Sequence, residues 1–169
     1  MWKNRKTWSF FLFVVLFLAS LSFAQKVEAE EAFLFTAKEA ERLRHAEGEW
    51  EIIQLTRAPS SGPRVVIQHP EVKGTEDDPL IETVSPVGLF VSFEENLAPV
   101  DMGSLKIKAK KGFLSQSLTE RLRPFIKGTD IEANGIKVPS GRFIIQITIS
   151  DSNGEKTLAS YRLSVKDHD

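Results

Sequence analysis

An all-β fold, an Ig-like antiparallel β-sandwich of about seven strands behind a short N-terminal helix and strand, is what three features of this chain predict. The closing stretch "GRFIIQITISDSNGEKTLASYRLSV", Gly141 to Val165, alternates apolar and polar residues, turns, and alternates again. From Arg64 onward, short apolar or alternating runs recur with turn residues between them. The one clear helical signal precedes them, in the acidic stretch Gln25 to Leu55.

The closing hairpin is read from parity. Phe143, Ile145, Ile147 and Ile149 share one face of an extended strand, and Ala159, Tyr161, Leu163 and Val165 share one face of the next. Both sets belong in one core, so opposed residues must have numbers of the same parity. A two-residue loop at Asn153-Gly154 would bury Ser160 and Arg162 instead. A three-residue loop, Ser152-Asn153-Gly154, pairs Asp151 with Glu155. It sets Ile147 across from Ala159, Ile145 across from Tyr161 and Phe143 across from Leu163. Asp151, Asn153 and Gly154 are then a structural turn, with Gly154 in the left-handed position of a type I turn with a bulge.

The other strands follow the same logic. "RVVIQH" and "LIETV" are short candidates, the second ended by Pro86. "GLFVSFEEN" puts Leu89, Val91 and Phe93 on one face. "SLKIKAKKG" turns Leu105, Ile107 and Ala109 inward and Lys106, Lys108 and Lys110 outward. "TDIEANGIKV" breaks at Asn134-Gly135, a strong turn dipeptide. Ser117-Leu118-Thr119-Glu120 has capping-box spacing, and Pro124 stops any helix it starts after one or two turns.

Before the strands, Thr36-Ala37-Lys38-Glu39 also has capping-box spacing, which predicts a helix over 37–46 with Gly48 as its stop. "EWEIIQL", Glu49 to Leu55, reads as a short strand, and "TRAPSSGP", Thr56 to Pro63, as a linker rich in Pro, Gly and Ser. Met1 to Ala24 reads as a secretory signal peptide: Lys3, Arg5 and Lys6, an apolar run from Phe10 to Ala19, then the small-x-small site Ser22-Phe23-Ala24. The apolar run is shorter than the roughly 20 residues of a spanning helix. No Cys follows it to carry a lipid. The expected organisation is therefore signal peptide 1–24, N-terminal extension 25–55, linker 56–63 and sandwich 64–166.

The whole chain carries 22 Lys+Arg and 23 Asp+Glu. Without Met1–Ala24, which holds three basic residues and no acid, 19 basic residues face 23 acidic ones, a net of −4. That balance argues against nucleic acid as a partner. A cysteine-free exported chain of roughly 145 residues must rely on its core, and it suits the periplasm or another extracellular space.

The run from "SGP" (Ser61 to Pro63) through "IETVSPVGLFVSFEENLAPVDMGSLKIKAKKG", "SLTERLRPF" and "VPSGRFIIQITISDSNG" resembles an uncharacterised family of exported bacterial Ig-like domains, a domain of unknown function. Its elements are a Ser-Pro before a strand ending in Phe, a strand opening with Ser-Leu, a Thr-x-Arg/Lys-Leu turn, a Pro-x-Gly before a long strand, and Asp-x-x-Gly. The resemblance covers about Ser61 to Lys166 and implies an Ig-like fold with no known activity.

No catalytic set assembles from the sequence. His45, His69 and His168 are too scattered for a metal cluster or a triad, and no G-x-S-x-G, S-x-x-K or H-E-x-x-H occurs. "DIEANG" mimics half a calcium loop, but its twelfth position is Gly141, so the bidentate carboxylate is missing. "EDD" (Glu76 to Asp78) and "EEN" (Glu94 to Asn96) are loop acids without a ligand spacing. Trp50, Phe113 and Phe125 are the aromatics near loops or strand ends that a carbohydrate site could use.

The most suggestive surface feature is basic: Lys106, Lys108, Lys110 and Lys111 on one strand, with Arg121, Arg123 and Lys127 in the next connection. Such a run either keeps a sheet face soluble or docks an anionic partner. The expectation is a non-catalytic binding or assembly module without cofactor, whose partner is an envelope protein or an anionic glycan or lipid surface. Two alternatives stand beside it: an accessory subunit docking through the N-terminal helix, and a metal-dependent or hydrolytic enzyme. The leader reading predicts that N-terminal sequencing of exported protein finds Gln25; finding Met1 would refute both the cleavage and the export.

Overall fold

The computed structural model describes residues 32–51, 53–55 and 60–166. The expected signal peptide 1–24 with its cleavage site, and residues 56–59 of the expected linker, lie outside the described residues. The chain divides into two compact units, 1–30 and 31–169, and every described residue belongs to the second.

Two β-sheets face each other across an apolar core. The first runs β1 (Arg64–His69), β4 (Val87–Glu94), β8 (Asp130–Ile136) and β7 (Ile126–Lys127) in that spatial order. The second runs β2 (Val72–Gly74), β3 (Pro79–Val84), β10 (Lys156–Lys166), β9 (Gly141–Asp151), β5 (Val100–Lys111) and β6 (Leu114–Ser117). All pairs are antiparallel except β3 with β10. The orders β1-β4-β8-β7 and β10-β9-β5 correspond to the A-B-E-D and G-F-C sheets of an Ig-like sandwich. The described residues hold ten strands rather than seven. The three not read from the sequence, β2, β6 and β7, span only two to four residues, too few to show an alternation in sequence.

The closing hairpin has the register that parity demands: Ile147 opposes Ala159, Ile145 opposes Tyr161 and Phe143 opposes Leu163. Asp151 N donates to Glu155 O and Gly154 N to Asp151 O, closing the three-residue loop with Gly154 at φ +86°. Asp151 Oδ1 also accepts from the amides of Asn153 and Glu155 at 2.9 Å, so the turn is held by a side chain as well as by backbone. Asn134-Gly135, expected to break a strand, lies inside β8. Val87 pairs with Ile136 and Leu89 with Ala133, so two residues of β8 oppose Gly88 alone. The dipeptide makes a bulge there, with Gly135 at φ +75°.

The N-terminal extension is packed on the sandwich. Phe35 is fully buried and stacks on Phe143, ring centroids 4.8 Å apart. Helix α1 (Ala37–Leu43) follows with both halves of the Thr36/Glu39 capping box formed. It ends three residues short of 46, because Arg44 turns extended and the His45 amide bonds Arg142 O. Ala40 and Leu43, its apolar face, are buried in the core.

The expected strand over Glu49 to Leu55 is not one. Residues Glu47–Glu51 form a helical turn, α2, and 53–55 have no regular structure. The carbonyls of Trp50 and Ile53 accept from the Arg162 guanidinium instead of from a neighbouring strand. The second capping box also fails. Ser117 is held in β6 opposite Lys108, so α3 (Thr119–Leu122) starts after Leu118 with no side-chain cap. A 3-10 turn, Arg123–Phe125, follows it.

Between the sheets lies a cavity of about 80 Å³ lined by apolar surface, including Ile81, Val91, Ile107, Ile131 and Ile147. Ile147 is buried at the middle of β9 in this core. Truncation to Ala should cost about 2–5 kcal/mol in denaturant unfolding. A cost below about 1 kcal/mol would show that this face is not core.

Candidate functional site

The outer face of the six-stranded sheet is set by the inner one. Because Leu105, Ile107 and Ala109 of β5 are buried, Lys106, Lys108 and Lys110 point away from the core. Cross-strand register extends them into rows. Lys106 lies beside Thr148 and Leu158, and Lys108 lies between Ser117 and Gln146 with Ser160 next. Lys110 lies between Ser115 and Ile144, with Arg162 beyond. The middle row is thus a lysine flanked by an amide and two hydroxyls.

The seven cations grouped by the sequence separate into two kinds. Arg121 makes a bidentate pair with Glu39 at 2.8 Å and also donates to Leu34 O at 2.7 Å. Arg123 pairs with Glu120, and Lys127 with Glu132. Lys111 donates to Arg44 O at 2.6 Å and sits 3.8 Å from Glu49. Lys106, Lys108 and Lys110 have no acidic partner among the described residues. Lys106 is exposed and the other two are half-buried. Sequence could not divide the cluster this way, since the acid that binds Arg121 lies 82 positions away.

The N-terminal extension covers one end of this face. Trp50 lies buried there, its indole N–H donating to Phe143 O at 3.2 Å. The Arg162 guanidinium is 5.2 Å from the Trp50 ring centre and that of Arg142 6.0 Å. Arg162 also pairs with Asp78. Arg162 and Ser160 point outward as parity requires, yet both are buried because this segment lies over them. Where 53–55 pass the sheet, a groove of about 240 Å³ remains, its floor including Lys110, Gln146 and Ser160.

His45 borders that groove. Its Nε2 lies 3.0 Å from Lys110 O, and since a carbonyl only accepts, Nε2 carries the hydrogen. Nδ1 is buried without a hydrogen-bond partner, 3.9 Å from Glu49 Oε2.

The remaining candidates are dispersed. His69 is exposed at the end of β1, and His168 lies outside the described residues. Among the described residues no group of His, Asp and Glu could hold a metal ion. Of the loop acids, Asp78 serves Arg162 and Glu94 pairs with Arg64 at 2.9 Å, while the Asn96 amide donates to Ser61 O. In "DIEANG", Glu132 pairs with Lys127 on a strand rather than in a loop. Of the three aromatics, Trp50 is buried, Phe125 half-buried and Phe113 fully exposed.

No protein-family model and no curated protein matches this chain. Two solved structures are similar in outline. CopC from Methylosinus trichosporium OB3b has 12% identity and a TM-score of 0.35, over 68% of this chain and 96% of its own. Murine CRIg has 10% identity and a TM-score of 0.34, over 60% and 99%. At these scores neither likeness carries an argument about function.

The best-defined ion pair of the region also has a measurable signature. Arg121, the main cause, and the Thr36 amide and hydroxyl hold the Glu39 carboxyl down to about 2, against an opposing effect of burial. A carboxyl depressed in the folded state adds stability in full above its ordinary value of 4.5, and loses it as the pH falls toward 2. Glu39→Gln should therefore cost about 1–3 kcal/mol at neutral pH. The gap to the parent should close between pH 4.5 and 2 in denaturant titrations. A gap of constant size across that range would refute the pairing.

Proposed function

We propose that this chain is an exported, non-catalytic Ig-like module that docks an anionic envelope partner on the outer face of its six-stranded sheet. One observation carries the reading. Lys106, Lys108 and Lys110 stand on successive outward positions of β5 without an acid among the described residues, while the neighbouring cations are engaged by Glu39, Glu49, Glu120 and Glu132. Outward positions on a strand repeat every ~6.6 Å, so the three ammonium groups form a ladder suited to a repeating or extended anion. Gln146, Ser117 and Thr148 add neutral donors beside them. The alternative of docking through the N-terminal helix has less support, since the helix's apolar residues Ala40 and Leu43 are buried against its own sandwich. The leader-like sequence of Met1–Ala24 supports export.

The test is replacement of Lys106, Lys108 and Lys110 together by Gln. Surface substitutions of this kind change stability by about 0.5 kcal/mol or less each, so the melting temperature should stay near that of the parent. Binding to a soluble polyanion, or to the partner recovered from the envelope, should be lost, and in the parent it should weaken steeply as salt rises. A triple variant that binds as tightly as the parent would overturn the reading.

A further inference from the structure

We infer that the tip of the β5–β6 hairpin, Gly112-Phe113-Leu114, is a wedge that enters the interface of an anionic phospholipid bilayer. The inference rests on the anion-docking reading of β5 and names its partner. Lys111 pairs with Leu114, leaving Gly112 and Phe113 as a two-residue loop with Gly112 at φ +55°. Glycine at the first loop position permits so tight a turn. Nothing in the turn requires an aromatic at the second. Phe113 is nevertheless 102% exposed, with Leu114 beside it at 39%, so the hairpin presents two apolar side chains outward at its tip.

Charge surrounds this tip on the protein side. Lys110 and Lys111 immediately precede it, and exposed Arg42 of α1 borders Leu114 across a shallow groove. Among the described residues, Glu49 lies 3.8 Å from Lys111, and Glu39, beside Arg42 on the same groove, is already bound by Arg121. An apolar point ringed by cations fits a surface whose phosphates lie above hydrocarbon. A folded protein partner fits it less well, because a stable interface needs about 800 Å² per partner and shape complementarity, which two side chains on a turn do not offer. A bilayer needs neither. One inserted aromatic holds a membrane weakly, so the lysines supply the second signal. Tip-first insertion also ranks them: Lys110 lies nearest the phosphates and Lys106, four residues further along β5, lies farthest.

The exported protein is sedimented with phosphatidylcholine vesicles, with and without phosphatidylglycerol, and titrated in parallel with dextran sulfate as a soluble polyanion. The parent should bind only the anionic vesicles. Phe113→Ser should lower that partition by about tenfold or more while leaving dextran sulfate binding unchanged. Phe113→Trp should keep it, with indole emission from the new side chain that shifts to the blue and resists an aqueous quencher. Lys110→Gln should weaken vesicle binding more than Lys106→Gln. Vesicle binding unaffected by Phe113→Ser, Phe113→Trp emission that stays open to the quencher, or dextran sulfate binding with no vesicle binding would each overturn the wedge. The last of these would leave the docking face itself standing. If the triple lysine variant binds both probes normally, the docking face is wrong, and the wedge that rests on it falls with it.

Discussion

An arginine buried on the outside of a sheet sets which part of this molecule's six-stranded sheet is covered and which is open. The register that buries Tyr161 and Leu163 inward turns Arg162 outward, yet Arg162 is 7% exposed. A guanidinium removed from water is tolerated only with its donors used. Here they go to Asp78 from the loop before β3 and to the carbonyls of Trp50 and Ile53, and the Trp50 ring lies within cation–π distance. The N-terminal segment is thus drawn across β9 and β10 by a charge rather than by a strand pairing. The same covering leaves the β5 side open, so one constraint separates a closed half of the sheet from the half that bears the lysines.

A second charge pair fixes the helix. Glu39 caps α1 and at the same time receives Arg121 from α3, so helix start, inter-element contact and electrostatics converge on one carboxylate. His45 adds a third tie through its amide to Arg142 O and its ring to Lys110 O. Each tie consumes a polar group that the open face would otherwise share. The lysines that remain are those of β5 whose ammonium groups none of these ties engages.

The legible part of the fold was the part with a period. Phe143 to Ile149, Leu105 to Ala109 and Leu89 to Phe93 alternate, and a period of two leaves only one register that buries both sheets. The Thr36/Glu39 cap was legible because it is local. Glu49 to Leu55 misled because the carbonyls of Trp50 and Ile53 are taken by the Arg162 guanidinium, 112 and 109 positions away. Asn134-Gly135 misled because the same dipeptide serves a bulge as well as a turn. On the candidate face, the lysine ladder was visible but its division into paired and unpaired cations was not, since Arg121 finds Glu39 across 82 positions and Lys111 finds Arg44 O across 67. Burial of Arg162 had no local signal at all.

The void between the sheets bears on mechanics. About 80 Å³ lined by apolar surface is space that the unfolded chain gives back to solvent, so unfolding contracts the system. The contraction is on the order of tens of mL/mol, and hydrostatic compression would therefore shift this sandwich toward its unfolded state. The void sits where Ile107 and Ile147 from one sheet meet Val91 and Ile131 from the other. The two layers thus leave unfilled space where these four side chains meet.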